Sequence, residues 1–360
     1  MAGSAWIWAL KSAGWFLVAS TMIPFIRSDT GFIRTFDFPR LQVAVAAVPI
    51  LLLLLVFARD RSGWILFGAL LVCLVFQAYR ILPFTPLHAP QAVAATTTDC
   101  RHDAKVSLLV ANVLQENTDH ESLLRLVGQH DPDLLLVLET DVRWRDALAP
   151  LEARYPHRIE RPQPNTYGLM FYAKFPLENP QVRFLLQDDV PSIRTGVVLP
   201  SGESFTLFGV HPRPPHPGHS SAPRDAELVM VAREVRDMNG PAVVAGDLND
   251  VAWSHTSELF RRLARLLDPR VGRGLLPTFH ADYKLLRWPL DHVFHSAHFR
   301  LQQLERLPHI GSDHYPIYIR LSYEPQGWQA QEAELEAPDA EDRIEAREKI
   351  QEAATEEASS

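Results

Sequence analysis

Cysteine is scarce. The 360 residues include two, Cys73 inside an apolar run and Cys100 in a stretch rich in Pro, Ala and Thr. Neither has the spacing of a metal site, and two such positions make no disulfide framework. Cysteine therefore does not decide the compartment. An excess of positive charge is also missing where a folded domain is expected. Residues 101–322 hold 25 basic and 27 acidic residues, so they lack the footprint of a general nucleic-acid binder. The formal charge of -8 arises at the ends. Residues 323–360 set twelve acids against Arg343, Arg347 and Lys349, whereas residues 1–100 set seven basic residues against four acids. No internal repeat is visible.

Charge is absent from three N-terminal runs, Ser12–Ile26, Leu41–Ala58 and Ser62–Tyr79. A membrane-spanning helix needs roughly 17–25 apolar residues. The second and third runs qualify. The first does so if it extends back through Trp6 and Trp8 while Lys11 snorkels; its other reading is a signal sequence, but no Ala-x-Ala site closes it. Two such runs joined by "RDRS" do not suit a soluble core. The expectation is a membrane module over residues 1–80, with helices at about 6–26, 41–58 and 62–79. Arg59 and Arg61 occupy the tightest loop. Placing them and Lys11 in the cytoplasm puts the large domain on the outer, periplasmic side. Residues 81–104 read as a linker.

Beyond it the apolar pattern is globular. "VSLLVANV" (106–113), "DLLLVLE" (133–139) and "GLMFYA" (168–173) read as strands. A helix capped by Thr118 or Asp119 and another from Asp141 lie between them. "IRTGVVL" and "FTLFGVH" read as a hairpin around Ser201-Gly202. A helix near 223–237 leads to "VVAGDLND" (243–250), a short helix follows at "WSHTSELF", and "PLDHVFH" and "YPIYIRL" supply further strands. This mixture predicts the α/β class, with two packed sheets flanked by helices. Residues 323–360 read as an acidic, solvated, disordered tail, partly helical through 329–353.

Several apolar strands end in a polar residue: Asn112, Glu139, His211, then Asp247 and Asn249. "WPLDHVF" carries Asp291, and "HIGSDHYP" carries Ser312, Asp313 and His314. Singly each has an ordinary reading as a turn cap, a surface acid, a core histidine or half of an ion pair. Together they are carboxylates, amides and histidines at the ends of neighbouring strands, where α/β folds bind ligands. Hard oxygen donors suit Mg²⁺ or Mn²⁺ rather than zinc. Two histidines can divide acid and base duties near neutral pH.

The order Asn, Glu, His, Asp-x-Asn, Asp, Ser-Asp-His resembles the endonuclease/exonuclease/phosphatase family over about residues 104–322. "GDLN" followed by "SDHYP" is its most specific pairing. The resemblance implies a four-layer α/β/β/α sandwich of the deoxyribonuclease I type, here in a membrane-anchored bacterial form, and metal-dependent hydrolysis of phosphoesters. It implies that Glu139 binds Mg²⁺ (or Mn²⁺) with Asn112 and Asp313 nearby. His314 is then the general base, oriented by Asp291; Asp247 positions water, and Asn249 holds a phosphate oxygen. His211, like the histidine of the deoxyribonuclease and sphingomyelinase branches, points to diester cleavage. Tyr167 is either a phosphate contact or a core tyrosine. Arg213, in the Pro/His-rich loop 211–219, is either a phosphate ligand on a lid or part of a rigid surface loop. His255, Arg273, His280 and Trp288 are further candidates. The expected partners are a bilayer and a phosphoester, lipid-like or nucleic acid, with no obligate protein partner. The rival of another class is a non-catalytic membrane scaffold.

Overall fold

The structure, a computed structural model, describes residues 2–95, 101–215, 218–333 and 335–359. Cys100, residues 96–99 of the expected linker, and His216 and Pro217 of the Pro/His-rich loop lie outside the described residues.

Helices α1 (Ala2–Met22), α3 (Arg40–Phe57) and α4 (Arg61–Ile81) pack on one another through Leu17, Ala47, Leu54, Leu66 and Leu70. Among the described residues three helical spans, Ala5–Phe25, Arg40–Phe57 and Arg61–Phe84, are long and apolar enough to cross a membrane. Trp8, Phe16, Leu52 and Val72 are exposed on their outer faces. Lys11 Nζ pairs with Asp60 at 2.8 Å, at the loop between α3 and α4. A one-turn helix, α2 (Gly31–Arg34), lies between α1 and α3.

Strand β1 (Lys105–Asn112) shows why the domain has layers. Side chains alternate along a strand. Leu108 and Val110 therefore enter one core and Leu109 and Ala111 another. Both faces are buried, which is why the run is continuously apolar. Strand β2 (Leu134–Leu138) repeats the pattern and pairs in parallel with β1. With β3 (His157–Arg161), β4 (Leu169–Ala173), β10 (Phe299–Arg306) and β11 (Ile317–Tyr323) they form one sheet, ordered β10-β11-β1-β2-β4-β3. The second sheet runs β5 (Leu177–Phe184), β6 (Pro191–Val198), β7 (Ser204–Val210), β8 (Ala242–Asp247), β9 (Asp291–His295). The strands β6 and β7 are the expected hairpin.

Helices α5 (His120–His130) and α6 (Val142–Leu148) cover the outer face of the first sheet with Leu123, Val127 and Trp144. Asp119 caps α5 through the Ser122 N–H, and Asp141 caps α6 through the Trp144 N–H. Helices α7 (Ala222–Met238) and α8 (His255–Ala264) cover the second sheet with Leu228, Val231 and Phe260. The result is the four-layer α/β/β/α sandwich.

Two expectations need correction. The stretch 82–95 is not a free linker. Phe84 packs with Trp253, Gly272 N donates to Pro83 O at 2.7 Å, and Ala95 N donates to Leu301 O at 2.9 Å. Nor is the acidic tail solvated and disordered. Helix α9 (Trp328–Ala333) buries Gln331, and α10 (Ala340–Ser359) lies along α7 and α8, burying Asp342, Ala346, Lys349 and Ala353. Those four share one helical face, where Ala346 and Ala353 allow close packing and Asp342 and Lys349 pair with Arg262 and Asp225.

Helix α7 also buries Glu227, whose Oε1 has no hydrogen-bond partner among the described residues. Burial pushes this carboxyl up from 4.5 to about 8, against a smaller pull from Arg183. The stability associated with its retained proton is complete below pH 4.5 and is lost as pH rises through 8. Glu227→Gln keeps the shape and cannot ionise. It is expected to stabilise the fold at pH 8 by on the order of 2–4 kcal/mol and to change little at pH 5. Thermal melts at the two pH values check this; equal shifts at both would count against it.

Candidate active site

Six chain segments meet at one edge of the sandwich. Asn112 ends β1, Glu139 follows β2, His211 follows β7, Asp247 ends β8, Asp291 opens β9, and Ser312–His314 lead into β11. Local backbone choices aim them inward. Gly246, at φ 145°, lets β7 and β8 approach closely: a Cβ there would sit 1.9 Å from Val210 O. Glu139 and Asn249 take left-handed φ values of 60° and 51°, a conformation uncommon outside glycine and a frequent mark of functional sites.

The resulting contacts cross between the sheets. Asn112 Nδ2 donates to Glu139 Oε1 at 2.8 Å and to Asp247 Oδ2 at 3.1 Å. Asn112 Oδ1 accepts from Leu114 N–H, so the nitrogen rather than the oxygen of this amide faces the carboxylates. The amide thus serves as a clamp between two carboxylates instead of presenting an oxygen ligand. Ser312 Oγ donates to Asn112 O at 2.8 Å and accepts from His314 N–H at 3.0 Å, which fixes the His314 segment against β1.

His314 stands between two acids. Its Nδ1 is 2.8 Å from Asp291 Oδ2 and its Nε2 is 3.5 Å from Asp247 Oδ2. Asp247 and Asp291 are opposite one another in the β8–β9 register. Burial alone would lower the His314 pKa, but Asp291 and Asp247 prevail and hold it at about 10. Burial pushes Asp247 up, against the pull of His314. Burial also raises Glu139, and the charge of Asp313 adds to it. His211 is buried and lowered by that burial, hence neutral; its Nε2 lies 3.9 Å from Asp247 Oδ2 and 4.0 Å from Glu139 Oε1.

The remaining candidates divide. Asn249 donates its N–H to Asp247 Oδ1 and its Nδ2 to Pro212 O, so it braces both Asp247 and the turn after His211. Tyr167 tilts against His211 at 5.7 Å, and Arg213 lies over the Tyr167 ring while pairing with Asp189 at 3.2 Å. Arg213 therefore flanks the site with its charge already engaged. His280 and Trp288 belong to a segment that packs on the site through Phe279, whose ring is 4.9 Å from that of His314. Two candidates lie elsewhere. His255 pairs with Glu345 of α10, and Arg273 donates to the carbonyls of Pro269 and Ala92. Sequence reasoning missed Phe279 and Gln115, whose N–H reaches Glu139 Oε2 at 3.4 Å. Nothing in the local pattern marks either one.

The chemistry of the donors fits a divalent cation. Glu139, Asp247, Asp291 and Asp313 bring four carboxylates against two histidines, and two of the acids are pushed toward protonation. Such a site is short of positive charge and offers hard oxygens. Ligand atoms of Asp247, Asp291 and His314 lie within 4.8 Å of one another, a spacing that can hold a metal. The hydrogen bond between Asp291 and His314 Nδ1 already uses one of them.

The chain belongs to the endonuclease/exonuclease/phosphatase family, whose sequence profile matches residues 109–314. Among curated proteins, UPF0294 proteins of Vibrio cholerae are 34% identical over 98 residues, which is 26% of this chain. That match spans 32% of their length, about a third. Solved structures with similar folds include an endonuclease/exonuclease/phosphatase family protein from Bacteroides thetaiotaomicron, at 17% identity and TM-score 0.51 over 61% of this chain and 98% of that one. The human Nocturnin catalytic domain is also similar, at 17% identity and TM-score 0.51 over 61% and 95%.

Proposed function

We propose that the protein is a membrane-anchored, Mg²⁺-dependent phosphoesterase, most readily a phosphodiesterase, with Mn²⁺ able to replace Mg²⁺. The observation that carries this reading is the buried row Asp291–His314–Asp247, joined through Asn112 to Glu139. In this reading Glu139 and Asp313 would hold the ion, which would polarise a phosphoryl oxygen and offset the charge that grows there.

The chain's own groups handle the proton. An imidazolium cannot accept one from water, so His314 alone is not the base. Asp247, raised by burial, accepts the proton of the attacking water, with the His314 imidazolium 3.5 Å away to offset the charge of the carboxylate. Asp291 holds the His314 Nδ1–H, which keeps Nε2 turned toward Asp247. His211, neutral and close to both Asp247 and Glu139, donates a hydrogen bond to a phosphoryl oxygen. Tyr167 and Arg213 border the substrate beside it, and Asn249 keeps Asp247 in place or contacts a phosphate oxygen. A scaffold without catalysis has no need to bury so many uncompensated acids.

The full chain in detergent should hydrolyse a soluble phosphodiester with Mg²⁺ and lose nearly all of that activity in EDTA; activity that survives chelation would end the metal-dependent reading. Plasmid DNA in parallel distinguishes a nuclease. The chain must be intact, because a 100–325 fragment would discard Phe84 and α10.

The proposed orientation keeps Arg59 and Arg61 in the cytoplasm and the catalytic domain on the periplasmic side of a bacterial inner membrane. In support, Arg34, Arg40 and Arg80 at the domain end are neutralised by Asp29, Asp37 and Glu258, whereas Arg59 and Arg61 are exposed. A reporter fused after Ser360 that is active only in the cytoplasm would reverse the orientation.

A further inference from the structure

Between Thr278 and Trp288 the chain leaves the sandwich as a finger. Phe279 N donates to Trp288 O at 3.0 Å, and Trp288 N–H returns to Phe279 O. One edge of the finger is bonded to the catalytic segment: Ala281 N donates to Asp313 O at 2.7 Å and Tyr315 N to Thr278 O at 2.9 Å. The other end reaches the membrane module. Gln42 Nε2 donates to Leu285 O at 3.0 Å, and Phe38 meets the Trp288 ring at 5.8 Å. Rings thus run from His314 through Phe279 and Trp288 to Phe38, at the entrance to α3.

The depth of the tip follows from α3. The span Arg40–Phe57 has 18 residues, about 27 Å at 1.5 Å per residue, so nearly all of it is needed to cross the hydrocarbon. Gln42, in its first turn, lies at the bilayer boundary, and so does the tip it touches. The tip reads Tyr283-Lys284-Leu285-Leu286. Tyr283 is 57% exposed, Leu285 83% and Leu286 48%. Adjacent leucines turned outward, with an interfacial Tyr beside them and Lys284 able to snorkel, match the chemistry of a bilayer surface.

We propose that this finger inserts Leu285 and Leu286 into the bilayer, and that the site takes its phosphoester from a membrane-embedded amphiphile whose headgroup enters past Phe279 and Trp288. The substrate assignment rests on the phosphoesterase reading above; the insertion does not. The headgroup phosphate of such a molecule lies at the depth of the finger's base. The near-neutral charge of residues 101–322 disfavours nucleic acid as the alternative.

The test uses the full chain in vesicles of phosphatidylethanolamine and phosphatidylglycerol. An environment-sensitive fluorophore attached through Leu285→Cys, in a background of Cys73→Ala and Cys100→Ser, should be quenched by a lipid-borne quencher and shielded from an aqueous one. Water access there would overturn the insertion. Two p-nitrophenyl phosphodiesters, one with a hexadecyl chain held in the vesicles and one with a methyl group in water, separate the readings. Leu285→Asp combined with Leu286→Asp should lower kcat/KM for the alkyl-anchored ester about tenfold or more and leave the methyl ester within about twofold. Leu285→Phe with Leu286→Phe should retain wild-type rates. Equal losses on both esters, no loss on either, or a preference for plasmid DNA would overturn the substrate assignment. Lipid contact at position 285 without hydrolysis of either ester would instead sink the phosphoesterase reading and leave the inserted finger standing.

Discussion

Asp291→Asn should lower turnover of a soluble phosphodiester by roughly a thousandfold or more, because a neutral amide no longer holds His314 charged and oriented through its Nδ1–H. The substitution is nearly isosteric at a position 1% exposed, and the Asp291 N–H still donates to Thr278 Oγ1. Folding should therefore survive. Mg²⁺ binding, measured by calorimetry, should change little, since Glu139 and Asp313 are untouched. A loss below about tenfold would mean that the row does not act as a unit. Replacing His314 by Ala is a poorer test. It would leave Asp247 and Asp291 buried in register with no imidazolium between them, so stability would fall along with activity.

The parts of the fold that the sequence announces are those buried on two faces. Strands β1, β2, β4 and β8 are continuous apolar runs because one side meets the opposite sheet and the other meets helices. Strands β3, β5 and β10 stand at sheet edges and were invisible. "HRIER" and "LENPQVRF" are largely exposed, and both β5 and β10 contain register shifts, at Glu178/Gln181 and Leu301/Gln303. An edge strand needs only one partner and often uses charge, Pro and bulges to prevent another from docking. Its hydrophobic alternation is diluted accordingly. The site was legible for a related reason: polar residues interrupting apolar runs are conspicuous. What those residues do with their atoms was not. Which end of the Asn112 amide faces Glu139, and that His314 lies between two carboxylates, depend on register between sheets that are far apart in the chain. Phe279 was missed because an aromatic in a polar loop carries no period.

The tail gives the sharpest contrast, and Lys349→Ala tests it: the fold should lose about 3 kcal/mol, although the residue lies in a segment that composition assigns to solvent. The Lys349 Nζ donates to Asp225 Oδ2 at 2.8 Å and lies 3.3 Å from Asp29, in the segment after α1. Asp225 is buried and also accepts from Arg224 and Thr256. Burial would raise its carboxyl, but Lys349, Arg224 and Arg34 hold it far below the ordinary range. One lysine thus joins α10, α7 and the segment that follows the N-terminal helix α1 around a single buried charge. Removing it leaves Asp225 with a weaker set of partners, whereas an exposed lysine would change stability by no more than about 0.5 kcal/mol. Thermal melts of the full chain read this difference, and protease cleavage within α10 should quicken with it. Helix α10 is further tied by Arg262–Asp342 at 2.7 Å and His255–Glu345 at 2.8 Å, so its partial release should appear before global unfolding. Arg224 Nη1 also donates to Asn249 O, in the loop that braces Asp247. A tail that anchors Asp225 therefore supports, through Arg224, the loop that holds Asp247 in place.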